Sequence, residues 1–525
     1  MGNMVIRMLM TQLAQRYSSK KNERFLIVFG TFYLIAGITL YYFLNDVLLN
    51  TWLEWIMQLK PNGMILNIWQ QTNLTIKVWL FNIENGEKFV AGTQNIRIRE
   101  IGPFCFHGHR QRTIIDWPLD YDLIRYNESF HYEFDPEQSV GPLSTTMIKT
   151  INLPLLNLIL ITITYTQMIL GFIHRNSSSY LNVNLTEWIK DNNELIIEKS
   201  VGEILGIINM NTTTNDDDDS GGNEFGFTFF DSDEIYGPIE SYTGYRMKRN
   251  FNQYYRYQDR KEFENFQHIA CNRLKGTEGS FFGLDKHPDD FVLNIFNPHI
   301  ASCRSFRFVY NGLNQIDWIQ TQRYQWDLEQ FSLKYYADNW CYCPEYIDDD
   351  DEECDGRFYL NQCSDDDHQQ QWLLMTNVHF LHTTNLARII RGLRPDPLKH
   401  QSYIEMEPRF GATIDSRLRI QYNFNLMQPY KFYENFNLNF HHKPSVIPFI
   451  WIEECYTMND GFFKFLLQFC SSFLIIISYF YAFIATFGVC LILIGLIRLL
   501  KKFIKRRTAV KNDDNGDDDG DKEKF

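Results

Sequence analysis

What this sequence lacks narrows it before anything it contains. No G-x-S-x-G elbow, no phosphate-binding G-x-x-x-x-G-K-[ST] loop and no H-E-x-x-H helix occurs in its 525 residues. That removes the commonest serine-hydrolase, nucleotide-hydrolysing and zinc-protease readings. No unit repeats at a fixed period, so a solenoid or propeller is not expected. Where a zinc knuckle needs C-x-x-C pairs or histidines at matched spacing, the chain offers Cys341-Tyr342-Cys343. The acidic runs at 215–222 and 348–353 lack the D-x-D-x-D-G-x5-E spacing of an EF-hand and read as solvated loops. His379-Phe380-Leu381-His382 presents two imidazoles with no carboxylate nearby, in a strand-like apolar run. They read as core or surface histidines. The expectation is a protein that is not an enzyme and holds neither metal nor cofactor.

Charge is the next absence. Residues 25–44, FLIVFGTFYLIAGITLYYFL, contain none, and neither do residues 465–497. A bilayer core of about 30 Å takes roughly 20 apolar helical residues, so each stretch is long enough to span. A cleaved secretory signal has a shorter apolar region and small residues at its cleavage site; here NDVLL follows at 45–49. The first stretch therefore reads as an uncleaved signal anchor at 25–44, and the second as a transmembrane helix at 472–497. Arg7, Arg16, Lys20, Lys21 and Arg24 precede the first against Glu23 alone, and Arg498, Lys501, Lys502, Lys505, Arg506 and Arg507 follow the second. Basic flanks mark the cytoplasmic side, so 1–24 and 498–525 are expected inside and 45–464 outside or in a lumen. Five N-x-Ser/Thr sequons, at Asn73, Asn127, Asn176, Asn184 and Asn211, all fall in that middle segment.

Positive charge is scarce in the middle of the chain. Between the two tails lie 36 basic and 56 acidic residues, a net of −20, which argues against nucleic acid as a partner. What is plentiful is apolar and aromatic residues, 45% and 16% of the chain, enough for a large core. A third uncharged stretch, 151–173, has the length of a span, yet it carries Asn152, Pro154, Asn157, three threonines and Gln167. A third crossing would also put the two basic flanks on opposite sides. It reads instead as a helix of the ectodomain, buried or exposed as a docking surface. Helical patterns are expected around 148–175 and 185–205. Alternation at Thr75-Ile76-Lys77-Val78-Trp79-Leu80-Phe81 and at Asn95-Ile96-Arg97-Ile98-Arg99 predicts strands. The fold class is α+β.

Of ten cysteines, Cys470 and Cys490 lie in the last apolar stretch, Cys105 and Cys455 stand alone, and six fall between Cys271 and Cys363. In an oxidising compartment those six form a disulfide framework, which spacing leaves open among 15 pairings. Cys105 and Cys455 are candidates for a fourth bridge, since an exposed free thiol is unusual there, and the sequence leaves open whether they pair.

Five short words in fixed order then resemble the class B scavenger receptor family, with its fatty-acid and lipoprotein receptors, lysosomal membrane proteins and insect sensory-neuron membrane proteins. Trp79-Leu80-Phe81-Asn82-Ile83-Glu84-Asn85 is similar to W-x-F-[DN]-[VI]-x-N, and Glu100-Ile101-Gly102-Pro103-Phe104 to x-x-G-P-[YF]. Ser139-Val140-Gly141 matches S-V-G. Tyr403-Ile404-Glu405-Met406-Glu407-Pro408 resembles [YF]-x-[DE]-[IV]-[DE]-P, with Met406 in the aliphatic place, and Val446-Ile447-Pro448-Phe449-Ile450-Trp451 resembles V-x-P-[IV]-x-W, with Phe449 departing. The resemblance covers about 25–500.

It implies an antiparallel β-barrel core, a helical apex bundle at about 148–205 and an internal hydrophobic tunnel leading lipid toward the membrane. Gln167, Met168, Leu170, Phe172 and Arg175 are the implied apex contacts. Cys271–Cys341, Cys303–Cys363 and Cys343–Cys354 are the implied disulfides, all within 271–363. The expected partners are the membrane together with fatty acid, sterol, phospholipid or lipoprotein particles. A receptor holding a protein cargo, as on the lysosomal branch, is the alternative, with the lysosomal or endosomal membrane replacing the plasma membrane. Where fatty-acid-binding members carry apex lysines, this chain has Arg175 and a sequon at Asn176, which favours neutral lipids, sterols or a basic protein over polyanionic particles. A two-span ligand-gated channel shares the layout, but its motifs and polar pore positions are missing. An ectonucleotidase would need glycine-rich phosphate loops.

Overall fold

The computed structural model describes residues 22–43, 51, 55–91, 93–152, 195–206, 234–283, 292–301, 303–332, 337–343, 354–363, 373–383, 388–425 and 446–514. The chain divides into two compact units, one of Met1–Trp55 with Gly461–Phe525 and one of Ile56–Asp460. The first apolar run forms helix α1 (Asn22–Tyr42).

The second unit opens with a short helix α2 (Met64–Gln70) and is then built from strands. In chain order these are β1 (Gln71–Ile83), β2 (Ile98–Asp116), β3 (Leu123–Asp135), β4 (Met147–Ile151) and β5 (Ile196–Ser200), followed by a single-turn helix α3 (Val201–Leu205). Next come β6 (Ile235–Tyr242), β7 (Tyr254–Tyr257), β8 (Val292–Ile295), β9 (Phe306–Ile316), β10 (Ile319–Trp326), β11 (Phe358–Tyr359) and β12 (Leu373–Thr376). Helix α4 (Pro397–His400) precedes β13 (Tyr403–Glu407), β14 (Ala412–Asn425) and β15 (Val446–Thr457). The main sheet runs β7-β6-β3-β2-β1-β15-β14-β13-β10-β9-β8, with β12 on β14 and β11 on β12. Its strand pairs are antiparallel.

The two edges meet through Gly276 and Thr277. Tyr254 N–H in β7 donates to Gly276 O (2.9 Å), Thr277 N–H donates to Asn294 O in β8 (3.2 Å), and Phe296 N–H donates to Thr277 O (2.9 Å). The edges are thus tied together through this segment, and the sheet closes as a barrel. The alternation read in the sequence is what closes it: along β1, Leu74, Ile76, Val78 and Leu80 are buried while the residues between them are exposed or half-buried. The start of β1 lies beside the end of β15, Thr75 opposite Cys455, so the chain enters and leaves the barrel on neighbouring strands.

One expectation fails here. The helical pattern expected from 148 is strand at its beginning, since β4 pairs with β5 from Met147↔Ser200 to Ile151↔Ile196. Likewise, the 185–205 pattern is strand over Ile196–Ser200 before α3 begins. Ile148, Thr150 and Ile151 are buried; short β-branched runs suit a packed, pleated surface better than a helix. α3 starts where the local chemistry says it should. Ser200 and Glu203 form a capping box, and Gly206 ends the turn at φ 76°.

The last element is helix α5 (Gly461–Asp514), which contains the expected span at 472–497. Within the terminal unit α1 and α5 run antiparallel, Glu23 meeting Lys502 at 3.2 Å, Gly30 meeting Gly488, and Tyr41 meeting Tyr481. A Cβ on Gly30 would sit 2.7 Å from Gly488 O, and one on Gly495 would sit 2.7 Å from Ile27 Cγ1. Close backbone approach is how helices associate where lipid removes the hydrophobic drive between them. Glu23–Tyr42 and Ile476–Thr508 are each long and apolar enough to cross a bilayer.

Candidate functional site

The five sequence words are far apart in the chain, and the fold gathers them. Trp79 of β1 faces Trp451 of β15 across the ladder, ring on ring at 3.8 Å and 1°. Gly102 lets the chain pass that pair, since a Cβ there would lie 2.5 Å from Trp79 Cδ1. The Trp451 indole N–H donates to Glu100 Oε2 at 2.9 Å. Ser139 Oγ accepts the Cys105 N–H (2.9 Å) and Val140 N–H donates to Pro103 O (3.0 Å), which ties the S-V-G word to the G-P-F word. Glu405, buried in β13, accepts from Thr321 Oγ1 (2.7 Å), Asn314 Nδ2 (2.8 Å) and Arg323 Nη1 (2.9 Å).

His379 corrects the sequence reading. It lies in a 3-10 turn, Val378–Phe380, rather than in a strand. Its carboxylate partner is Glu100, 279 positions away, with Nε2 to Oε2 at 2.7 Å. The His400 ring stacks on it at 4.2 Å, and ligand-type atoms of Glu100, His379 and His400 lie within 4.8 Å of one another. The donors nevertheless do not suit a metal. His379 Nδ1 accepts the Arg394 N–H (2.9 Å) and His400 Nδ1 accepts the Asp396 N–H (3.0 Å). A neutral ring whose Nδ1 accepts carries its proton on Nε2, the atom a metal would need. The trio is a clasp joining β2, the turn after β12 and α4, by the Glu100–His379 hydrogen bond and the stacking of His400 on His379. Burial works to raise the Glu100 pKa, but the bonds from His379 and Trp451 prevail and hold it below the usual range. Burial, then the neighbouring His379, depresses His400 to about 4.

A second cluster fills part of the barrel interior. Arg110 and Arg112 stand on the inward phase of β2, which begins with Phe106 and Gly108. Arg112 Nε donates to Glu128 Oε2 (2.9 Å), its Nη2 lies 3.3 Å from Glu278 Oε1, and its Nη1 donates to Trp69 O. Arg110 lies 3.5 Å from Glu128 Oε1 and 3.3 Å from Glu454 Oε1. Burial alone would lower both arginine pKa values; the surrounding carboxylates outweigh it and raise them. Arg110, Glu278 and Glu454 line a narrow crevice with Leu74, Phe308 and Leu418, and its volume of about 30 Å³ admits water rather than a lipid. Charged residues continuing an inward strand phase were the available signal for this network, and it was not read.

The expected sites divide. Gln167, Met168, Leu170, Phe172, Arg175 and the sequons at Asn176, Asn184 and Asn211 lie outside the described residues. Asn73 is exposed on β1 and Asn127 half-buried on β3. Bridges join Cys271 to Cys341, Cys303 to Cys363 and Cys343 to Cys354. Cys105 and Cys455 do not pair; both are buried free thiols. They sit on the two strands flanking β1, opposite Lys77 and Thr75 respectively. Two strand spacings are about 10 Å, beyond the roughly 7 Å that a bridge tolerates between Cα atoms.

The family model described as CD36 family matches residues 28–499. Sensory neuron membrane protein 2 of Manduca sexta is 23% identical over 431 residues, covering 77% of this chain and 81% of that protein. Sensory neuron membrane protein 1 of Mamestra brassicae is 25% identical over 457 residues (82% and 81%). Scavenger receptor class B member 1 of Bos taurus is 20% identical over 440 residues (82% and 80%). With an apolar helix toward each end of the sequence and an antiparallel barrel formed by the residues between them, this chain belongs to the CD36 family, that of the class B scavenger receptors.

Proposed function

We propose that this chain is a non-enzymatic plasma-membrane receptor that takes lipid or lipoprotein ligands at a helical apex and passes lipid through a hydrophobic tunnel toward the bilayer. Both tails are cytoplasmic in this reading. The antiparallel α1–α5 pair supports it by putting the two basic flanks at one end of the pair. The observation that carries the ligand class is the uncharged run 151–173. It lies in an excursion whose ends are fixed by β4 and β5, Asn152 N–H donating to Leu195 O at 2.9 Å and Lys149 N–H to Asn82 Oδ1 at 2.8 Å. An uncharged run of that length favours hydrocarbon over water as its surroundings. A lipid gains about 0.8 kcal/mol for each methylene it buries, so transfer needs a dry path and an orienting contact, with no catalytic group.

The test is mass spectrometry of lipid extracted from the secreted segment 45–464, purified without detergent. Stoichiometric fatty acid, sterol or phospholipid is the expected result. A folded, lipid-free segment would overturn it in favour of a receptor that holds a protein cargo.

A further inference from the structure

One cavity in this acidic ectodomain is walled by cations. Arg273, Lys275, Arg304 and Arg307 line a space of about 170 Å³ together with Gln330 and Asn339. Two disulfides hold its walls. Cys271–Cys341 joins the segment carrying Arg273 and Lys275 to the one carrying Asn339, and Cys303–Cys363 fixes the residue before Arg304. Arg304 is only 4% exposed. Its guanidinium lies 3.9 Å from the Tyr342 ring, 4.8 Å from Phe358 and 5.0 Å from Phe331. Its Nη2 donates to Gln330 O at 2.5 Å, while its Nε is buried with no hydrogen-bond partner. Gln330, 2% exposed, repeats the pattern. Its Oε1 accepts the Arg307 N–H at 3.0 Å and its Nε2 has no partner. Buried donors left unsatisfied in a wall of cations are a demand for an acceptor.

Among the described residues, no carboxylate accepts from the two buried donors left open. Among the described residues the ion pair at this wall is Arg307 Nε with Asp327 Oδ2 at 3.7 Å, and none joins Arg273, Lys275 or Arg304 to a carboxylate. Burial, then Arg273 and Arg307, depresses the Lys275 pKa, as expected where like charges face one another.

We propose that this pocket binds a phosphate- or sulfate-type oxyanion. Guanidinium groups offer paired N–H donors at the spacing of such oxygens, and Lys275 adds a point charge. The volume accommodates one tetrahedral oxyanion with a few waters, at about 30 Å³ for each water. No leucine, isoleucine, valine, methionine or phenylalanine lines the space, so an alkyl chain has nothing to lie against and a fatty-acid carboxylate is the poorer fit. The site is independent of the lipid path: it needs neither the apex nor a tunnel.

The test is calorimetric titration of the full-length chain in detergent micelles with inorganic phosphate, at ionic strength matched by sodium chloride. Saturable one-site binding is expected, weakened at least tenfold by Arg273→Ala with Lys275→Ala and unchanged by Lys248→Ala. Both rim residues are exposed, and an unaltered melting temperature without phosphate verifies that the double variant is folded. Heats no different from chloride, or equal binding by the double variant, would overturn the proposal. A water-soluble short-chain phosphatidic acid, set against the matching phosphatidylcholine, identifies the source. Tighter binding than phosphate assigns a lipid head group, and equal or weaker binding assigns a soluble oxyanion; either requires the rim cations.

Discussion

Two arginine clusters in the same ectodomain are buried alike and equipped differently. Arg110 and Arg112 stand among Glu128, Glu278 and Glu454 inside the barrel. Arg304 stands among three aromatic rings, with no carboxylate of the described residues at ion-pair distance. Desolvation opposes the charge in both. In the barrel the carboxylates reverse it and the arginine pKa values rise, whereas Arg304 falls to about 10. A charge whose partners are built in is part of the fold. One left without them is available to something that comes and goes.

The sharpest way to break this comparison is to remove the charge at each place with similar volume. Arg112→Met leaves Glu128 and Glu278 facing each other without their shared cation. Breaking one side of a buried pair costs about 3–5 kcal/mol, so a large drop in the denaturant midpoint is expected. Arg304→Met strands no carboxylate and gives up cation–ring contacts while escaping desolvation, so its stability should stay within about 1 kcal/mol of the parent. Equal losses at the two sites would erase the distinction.

Uncompensated buried groups also set the pH response, with opposite signs. Glu407 is buried, and burial pushes its pKa up to about 7 despite the Phe410 and Arg409 N–H groups it accepts. Its proton is held more tightly in the folded state than in the unfolded one, so stability falls as pH rises from about 4.5 to about 7. Glu407→Gln keeps the accepting oxygen and should raise stability at pH 8 by up to about 3 kcal/mol, with little change at pH 5. His299 runs the other way. Burial, then Arg110, lowers it to about 4, so its contribution is complete above about 6.5 and disappears as pH falls toward 4. His299→Gln should flatten the acid limb of a melting-temperature profile by a similar amount. Because the two contributions oppose each other over nearly the same range, each variant is read as its difference from the parent: a difference that does not change between pH 4 and pH 8 would remove that residue's assignment.

How much of this was legible depends on distance along the chain. The spans were, because an uncharged run is contiguous. So was the strand character of β1, where alternation extends over the whole element. At 147–151 and 196–200 the segments are only five residues long, and five β-branched-rich residues satisfy a helical window and a strand equally. The sequence words pointed to one family, yet their physical reason appears only in space. Gly102 is small because Trp79 occupies the place of its Cβ, and Glu100 is a carboxylate because His379 and Trp451 donate to it. Arg110 meets Glu454 across 344 positions, which no spacing rule reaches. The isolated cysteines misled for the same reason, since being solitary in sequence says nothing about the strand that separates them.

The smallest expected effect is the one that separates a binding charge from a folding charge. Arg273 and Lys275 are exposed at the rim of the cation pocket and bear no ion pair to a described carboxylate. Exposed substitutions away from caps, cavities and buried partners stay within about 0.5 kcal/mol. Their replacement by alanine should therefore leave thermal unfolding in chloride where it was, and remove only the extra stability that phosphate confers on the parent by mass action. Lost stability in chloride would mean that these cations support the fold, as Arg112 does. An unchanged response to phosphate would mean that the anion is held elsewhere.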